Sequence, residues 1–289
     1  MEQSAPKRLT ARAAFPYVGG KQKLASRLMS LVPPHERYVE PFGGALALLF
    51  AKPRCMVETV NDLDGRIVNF YRVVRDDEQC TRLLRLLDAT LHSRQEWRAA
   101  REGIETEQDP VERARMWCVL VGQSFARQVT GWAFERATSF AVTRWRPFPR
   151  YVIAAQERLS TVQVEHHDWR AVLDAHDDPA CFVYCDPPYP MEASLSHDGK
   201  YLYEMTQGDH RDLAARLLRW RGMAMLSSFD GHDLYDTLTA NGWELRRRSR
   251  GISAKGIVRN DPDSVRPGRT EIVLRNPACV AACEQPARQ

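Results

Sequence analysis

The order of predicted strands and helices indicates an α/β fold with a doubly wound, largely parallel sheet and a helical insertion. Two strand–turn–helix units follow each other within the first 76 residues, and parallel sheets are built from such units. A charged, helical stretch covers 77–158, and strand and helix patterns alternate again up to residue 276. We therefore predict one α/β domain from 15–76 and 159–276, an inserted helical domain at 77–158, and loose termini at 1–14 and 277–289.

Three segments carry the predictions for the first 76 residues. The segment "FPYVGGKQKLASRLMSLVPP" predicts an extended stretch, a glycine loop and a helix that stops at two prolines. "RYVEPFGGALALLFAK" predicts a short strand, a glycine turn and an apolar helix. "MVETVNDLDGRIVNFY" predicts the next strand, an acidic turn and a further helix.

The later elements follow from the same patterns. "EQCTRLLRLLDATLHSRQEWRAAREGIE" and "DPVERARMWCVLVGQSFARQ" predict helices with charged faces in the insertion. After it, "TVQVEHHDW", "CFVYCDPPY", "MAMLSSFD", "WELRRRSRG" and "RTEIVLRN" read as strands, with a helix over "DHRDLAARLLRWRG". The alternation predicts that the sheet is completed after the insertion.

Composition excludes some classes and leaves others open. The 289 residues carry 41 Lys+Arg against 37 Asp+Glu, a net charge of +4, which is too small to establish a nucleic-acid partner by itself. No apolar run reaches the roughly 20 residues that span a bilayer. Seven scattered cysteines are typical of free thiols in a reducing compartment, so we expect a cytoplasmic protein. Their spacing lacks the histidines of a zinc site, and no metal is predicted.

The stretch "EPFGG" follows the first strand. Glycines at such a turn let the backbone approach a ligand, and the next helix offers free N–H groups. Asp62, about 20 residues later at the end of the second strand, is placed to bind ribose hydroxyls. The pattern predicts a site for an adenosyl group, although Leu46 stands where the motif prefers glycine. The alternative is a tight turn beside a capping acid.

The stretch "DPPY", Asp186 to Tyr189, follows a buried strand. Parallel sheets bind ligands at the carboxyl ends of their strands. Pro187 and Pro188 have no backbone N–H group, but their carbonyl oxygens remain as hydrogen-bond acceptors. The Asp186 carboxylate and a proline carbonyl together form a pair of acceptors, which suits an amine that donates two protons. The ring of Tyr189 offers a surface on which a base can stack. The alternative is a strand ended by proline and a capping Asp.

"PYVGGK", "YVEPFGG", "VNDLDGRIVNFY" and "VYCDPPYP", in this order and with a helical segment between the last two, resemble the Dam-like, D12-class DNA N6-adenine methyltransferases. The resemblance covers about 15–276 and is least specific across 80–160. It implies a Rossmann-like S-adenosylmethionine-dependent methyltransferase sheet with a smaller, mainly helical target-recognition domain. It also implies S-adenosylmethionine as the methyl donor and double-stranded DNA as the partner.

The resemblance also implies roles for individual residues. The catalytic motif matches Asp186, Pro187, Pro188 and Tyr189. The residues that match cofactor-binding positions are Tyr17, Lys21, Glu40, Phe42, Gly43, Gly44, Asp62, Asp168, Trp169 and again Asp186. Ser228 and Asp230 resemble a structural segment near the site.

DNA contacts are expected in the insertion, where arginines alternate with aromatic residues. Arginines bind phosphates and guanine edges, and aromatic rings can wedge where a base leaves the stack. The candidate DNA-binding residues are Arg127, Arg136, Arg144, Arg146 and Arg150. The aromatic residues are Phe125, Trp132, Phe134, Phe140, Trp145 and Phe148. The alternative is a solvated basic face over an aromatic core. The run "RRRSR" at 246–250 is a second candidate phosphate surface.

The predicted activity is methyl transfer to the N6 amine of adenine in double-stranded DNA, with the target base flipped out of the duplex. A membrane partner and an obligatory protein partner are not expected. Cytosine-N4 and RNA-adenine methyltransferases stay open, because their target amines need the same two acceptors. A DNA-binding relative that has lost catalysis is a further alternative, which the intact Asp186, Tyr189, Lys21 and Asp62 disfavour.

Overall fold

The structure is a computed structural model that describes residues 13, 15, 25, 27–124, 131–134, 140–190, 203–249 and 270–284. Its centre is a seven-stranded sheet in the order β3-β2-β1-β4-β5-β7-β6. The strands are β1 Arg37–Glu40, β2 Val57–Asn61, β3 Val162–Glu165, β4 Cys181–Cys185, β5 Met223–Phe229, β6 Glu244–Ser249 and β7 Thr270–Arg275. The α/β fold class predicted from the sequence is confirmed.

Strands β1 to β5 run parallel, and β7 lies antiparallel between β5 and β6. From β1 the chain builds outward through β2 to β3, and it then crosses back to place β4 on the other side of β1. The order of strands therefore reverses between β1 and β4. In open α/β sheets, ligands bind outside the carboxyl ends of the strands at such a reversal point.

Eleven α-helices lie within the described ranges, after a short 3₁₀ turn at Met29–Leu31. The first six are α1 Ala47–Ala51, α2 Gly65–Arg75, α3 Asp77–Ala89, α4 Arg94–Gly103, α5 Pro110–Gln123 and α6 Phe140–Trp145. The others are α7 Phe148–Leu159, α8 Trp169–His176, α9 Gln207–Arg219, α10 Asp236–Ala240 and α11 Pro277–Glu284. Among these described elements, none has the length and apolar character needed to cross a bilayer.

Local sequence explains where several helices begin. Asp64, Asp76 and Asp109 each cap a helix by accepting a backbone N–H of its first turn. Thr206 and Asp209 form a reciprocal capping box at the start of α9. These acceptors satisfy N–H groups that have no partner inside the helix.

The core lies on both faces of the sheet because successive strand residues point to opposite sides. Tyr38, Phe182 and Tyr184 pack with helices α2 to α7 on one face. Val39 and Val183 pack with α8, α9 and α10 on the other. The helices of 77–158 thus share a buried core with α2 and the sheet. Their assignment as a separate target-recognition domain stays a prediction.

The prediction of a loose tail after Asn276 is wrong for 277–284, which form α11. Asn276 is buried and its Oδ1 accepts from the N–H groups of Cys279, at 2.9 Å, and Ala224, at 3.0 Å. Pro277 occupies the first helical position, where its fixed φ favours a helix. Cys279 is buried in the core on the same face as Tyr38. The start of the helix is therefore anchored by a cap and by packing that composition does not reveal.

Candidate active site

The turn after β1 is packed directly against the end of β2. The N–H of Gly43 donates to the carbonyl of Asn61 at 2.7 Å. A Cβ at position 43 would lie 2.9 Å from the same oxygen, so a side chain does not fit there without moving the backbone. Gly44 has φ 49°, in the left-handed region that glycine adopts without strain. Glycine is thus required at position 43 by the close approach of the Asn61 carbonyl and favoured at position 44 by a left-handed backbone.

Leu46, which stands where the motif prefers glycine, has a backbone conformation that glycine adopts more readily. Its φ is 55° and its ψ is 38°, which is left-handed and unusual for a residue with a side chain. The side chain is fully buried. Burial of the leucine side chain thus offsets the cost of a strained backbone.

Asp62 joins the turns after β1 and β2. Its Oδ2 accepts from the N–H of Gly44 at 2.7 Å, and its Oδ1 accepts from the N–H of Asp64 at 2.8 Å. Burial raises the pKa of Asp62 to about 6, although these two hydrogen bonds oppose the shift. A carboxylate can accept more than two hydrogen bonds, so Asp62 can still receive ribose hydroxyls. That role stays a prediction.

Glu40 ends β1 and is buried, with 2% of its surface exposed. Its Oε2 accepts a hydrogen bond from the hydroxyl of Tyr38 at 2.8 Å. Burial raises the pKa of Glu40 to about 8; the bond from Tyr38 opposes this, and the nearby charge of Asp186 adds to it. Within the described residues Glu40 makes no salt bridge. The site therefore holds a buried acid that a bound cation would stabilise in its charged form.

Asp186 and Tyr189 contact each other beyond the end of β4. The Tyr189 hydroxyl donates to Asp186 Oδ1 at 3.0 Å. The Tyr189 ring also meets Phe229 of β5 edge-to-face, with centroids 4.4 Å apart. Pro187 is buried, while Asp186, Pro188 and Tyr189 are partly exposed. The motif thus presents an acid and a ring at the same edge of the sheet as Glu40.

Asp168 and Trp169 open α8 beside this edge. Asp168 caps the helix by accepting the N–H of Arg170 at 2.8 Å. The guanidinium of Arg170 lies 4.3 Å from the centroid of the Trp169 ring. Trp169 is buried, and its ring centroid is 5.9 Å from that of Phe42. The structure brings Phe42 and Trp169 together, while adenine contact by Asp168 stays a prediction.

Asn61 is a site residue that the motifs did not identify. Its Nδ2 donates to the carbonyls of Pro41, at 2.9 Å, and His167, at 3.0 Å, and its Oδ1 accepts the N–H of His167 at 2.8 Å. One buried side chain therefore joins the turns after β1 and β3. The available signal was a polar residue at the end of a predicted strand, immediately before Asp62.

The predicted DNA-binding arginines of α6 and α7 have exposed side chains where the structure describes them. Arg144, Arg146 and Arg150 are exposed, whereas Trp145 and Phe148 between them are buried. The expectation that these two aromatic residues wedge into DNA is wrong, because both are part of the core. Phe134 is 52% exposed, and its expected contact with DNA stays a prediction. Tyr17, Lys21, Arg127 and Arg136 lie outside the described residues.

The basic run on β6 is partly neutralised. Arg246 pairs with Glu244 at 2.8 Å, and Arg247 pairs with Asp230 at 2.7 Å. These pairs reduce the positive charge that the edge strand offers to a phosphate. An edge strand kept soluble by its charges accounts for these contacts without a phosphate partner.

The α/β fold brings a buried acid on β1 and an acid–aromatic motif after β4 together at the strand-order reversal, the place where open α/β sheets generally bind their ligands. Residues 17–230 match the family described as D12 class N6 adenine-specific DNA methyltransferase, and the chain belongs to that family.

Known relatives are similar over most of their length. The chain is 25% identical over 270 residues to the DNA adenine methylase of Salmonella typhi, covering 88% of this chain and 94% of the relative. It is 24% identical over 272 residues to the DNA adenine methylase of Escherichia coli (strain K12), with the same coverage. It is 25% identical over 221 residues to the Type II methyltransferase M1.LlaDCHI of Lactococcus lactis subsp. cremoris, covering 68% and 72%.

Proposed function

We propose that the protein transfers a methyl group from S-adenosylmethionine to the N6 amine of adenine at specific sites in double-stranded DNA. Membership of the D12 class carries the reaction type. The single structural observation that supports the rest is the meeting of Glu40, Asp62 and Asp186 at the carboxyl edge of β1, β2 and β4. Three acids at one edge suit a ligand with a positive charge and ribose hydroxyls on one side and an amine on the other.

The residues present fit the methyl donor. Gly43 keeps the turn after β1 close against Asn61, because a Cβ at this position would lie 2.9 Å from the Asn61 carbonyl oxygen. Glu40 is a buried acid without a salt bridge among the described residues, which suits a cationic ligand. Phe42 and Trp169 supply apolar surface for a flat base. When bound, S-adenosylmethionine supplies a methyl group that its sulfonium charge already activates.

Asp186 and the carbonyl of Pro187 supply two acceptors for the two protons of the target amine. Bonding both protons keeps the nitrogen lone pair directed away from the protein and toward the methyl group. The Tyr189 ring stacks on the extruded base, and its edge contact with Phe229 restricts the ring's rotation. The hydroxyl of Tyr189 donates to one oxygen of Asp186 and so helps to orient the carboxylate that receives the amine. Positioning and electrostatics are thus the main contributions of the chain.

The exposed arginines of α6 and α7 support a duplex partner. Arg144 lies in α6, Arg150 in α7 and Arg146 in the turn between them, and three exposed arginines within seven residues suit contacts with phosphates. Such contacts are sequence-independent and position the duplex; they do not identify the recognition sequence.

The decisive experiment is to incubate the protein with unmethylated duplex DNA and S-adenosylmethionine, then digest the DNA and identify modified nucleosides by mass spectrometry. N6-methyladenine is the expected product. N4-methylcytosine would overturn the choice of base, and methylation of RNA alone would overturn the choice of nucleic acid. The Asp186→Ala variant should lose methylation by about a thousandfold or more while S-adenosylmethionine still raises its melting temperature. Full activity in that variant would overturn the mechanism.

A further inference from the structure

Tyr38 stands two residues before Glu40 on β1, so both side chains leave the same face of the strand. Tyr38 is fully buried, and its hydroxyl donates to Glu40 Oε2 at 2.8 Å. We propose that Tyr38 is a positioning residue for methyl-donor binding, whose hydroxyl holds the Glu40 carboxylate in the orientation that receives the donor's positive charge. This inference rests on the proposed function and extends it to a residue outside both sequence motifs.

The ring of Tyr38 is itself held in place. Lys52 Nζ lies 4.5 Å from the ring centroid and forms a buried salt bridge of 2.5 Å with Glu58. Arg158 of α7 binds both oxygens of Glu58, at 2.6 Å and 2.7 Å. Glu58 is the register partner of Tyr38 on β2. Movement of the ring would therefore expose or separate buried charges, which is costly.

Packing on the other side of the ring completes the restraint. The ring centroid of Phe182, the register partner on β4, lies 5.8 Å from that of Tyr38, and His35 stands at the same centroid distance. The hydroxyl is thus carried on a ring with neighbours on both adjoining strands. A donor fixed in this way loses little conformational entropy when it orients an acid.

The other groups near Glu40 differ in what they can do. Asp186, beyond the end of β4, repels a negative charge on Glu40, and Lys52 attracts it. Tyr184, which β4 places beside Glu40, has its hydroxyl 3.0 Å from the hydroxyl oxygen of Ser227 on β5. Among these described side chains, Tyr38 is the one hydrogen-bonded to the Glu40 carboxylate. Tyr184 therefore offers a matched control: a second buried tyrosine on the same face whose hydroxyl has another partner.

The test compares Tyr38→Phe with Tyr184→Phe. Affinity for S-adenosylmethionine is measured by isothermal titration calorimetry between about pH 6 and about pH 9. The Tyr38→Phe variant should bind about tenfold more weakly near neutral pH, because a hydrogen bond to a charged group is lost. Loss of that bond should raise the pKa of Glu40 further, because the bond opposes the effect of burial. The rise in affinity that accompanies ionisation of Glu40 should therefore occur at higher pH in the variant than in the wild type. The Tyr184→Phe variant should change affinity by less than about threefold at every pH.

A double-mutant cycle separates positioning of Glu40 from a general packing defect. In a Glu40→Gln background, Tyr38→Phe should weaken binding by less than about threefold, because the charged acceptor is already absent. An undiminished tenfold effect in that background would show that Tyr38 acts elsewhere and would overturn the inference. If the wild type binds S-adenosylmethionine and Tyr38→Phe binds it with the same affinity, the inference is overturned while the proposed function stands. Absence of S-adenosylmethionine binding by the wild type would overturn both. Melting temperatures confirm that each variant is folded.

Discussion

Two buried glutamates on the same face of neighbouring strands have opposite surroundings. Glu58 on β2 is bound by Lys52 and Arg158, while Glu40 on β1 receives a hydrogen bond from Tyr38 and has no salt bridge among the described residues. Burial alone would raise the pKa of Glu58, but hydrogen bonds from the two cations outweigh it and lower the pKa. For Glu40 burial prevails, and the pKa is about 8.

The difference distinguishes an acid that supports the fold from an acid available to a ligand. A buried charge that is fully paired stabilises its surroundings only while every partner is present. A buried acid without a cation is most stable in its neutral form, and a cationic ligand shifts it to the charged form. Tyr38 contacts both groups: Lys52, a partner of Glu58, lies over its ring, and its hydroxyl donates to Glu40. The paired acid and the acid without a cation are therefore connected through one tyrosine.

The largest effect should come from breaking the paired acid. Glu58→Gln leaves the charges of Lys52 and Arg158 buried without their partner, so we expect it to lower the free energy of unfolding by about 3–5 kcal/mol. Urea unfolding at neutral pH measures the change. Glu105→Gln is the control: Glu105 also pairs with an arginine, Arg66, but its side chain is 58% exposed. It should cost less than about 1 kcal/mol. Equal losses in the two variants would contradict the role assigned to the buried cluster.

The second prediction concerns the acid without a cation. Glu40→Gln keeps the shape of the side chain but cannot carry a charge, so S-adenosylmethionine should bind about 10–100-fold more weakly near neutral pH. The free energy of unfolding at about pH 5 should change by less than about 1 kcal/mol, because Glu40 is already neutral in the folded wild type at that pH. Calorimetry and urea unfolding check the two parts. Wild-type affinity in this variant would exclude Glu40 from the donor site.

The third prediction uses pH to compare the same two acids. The raised pKa of Glu40 contributes stability that is present below its ordinary pKa of 4.5 and is lost as pH rises toward about 8. The lowered pKa of Glu58 contributes stability that is present above 4.5 and is lost as pH falls. The stability of Glu40→Gln relative to wild type should therefore increase between about pH 5 and about pH 8. The deficit of Glu58→Gln should shrink below about pH 4. Parallel pH profiles would refute the contrast.

The smallest expected effect is the difference in stability between two substitutions of Leu46, in the turn that follows Glu40. Leu46 combines a fully buried side chain with a left-handed backbone, so Leu46→Ala should cost about 2–5 kcal/mol. Leu46→Gly should be more stable than Leu46→Ala by about 1 kcal/mol, because glycine adopts the left-handed backbone without strain. The comparison is made by urea unfolding. A less stable glycine variant would show that backbone strain at this position is negligible.

Much of the site was accessible from local sequence. A glycine turn after a strand, an acid near the end of the next strand and "DPPY" after a buried strand are short patterns, and parallel pairing brings their ends to one edge. The exposure of Arg144 and the burial of Trp145 could not be predicted from the sequence, because alternating arginines and aromatic residues are compatible both with DNA contacts and with a basic face over an aromatic core. Asp62 and Asp168 also accept backbone N–H groups, and sequence spacing does not separate such structural bonds from ligand contacts.

The sequence by itself determined the order of strands and helices, the turns with their glycines and prolines, and the acids that end β1 and β4. These depend on backbone geometry within a few residues. Only the tertiary structure decided which buried acid is paired. Glu58 and Arg158 are 100 residues apart in the chain and meet because α7 packs beside β2. Tyr38 joins that pair to Glu40 because strand register places it opposite Glu58. Long-range packing therefore determines the charge balance around each acid, and a linear pattern of residues does not specify it.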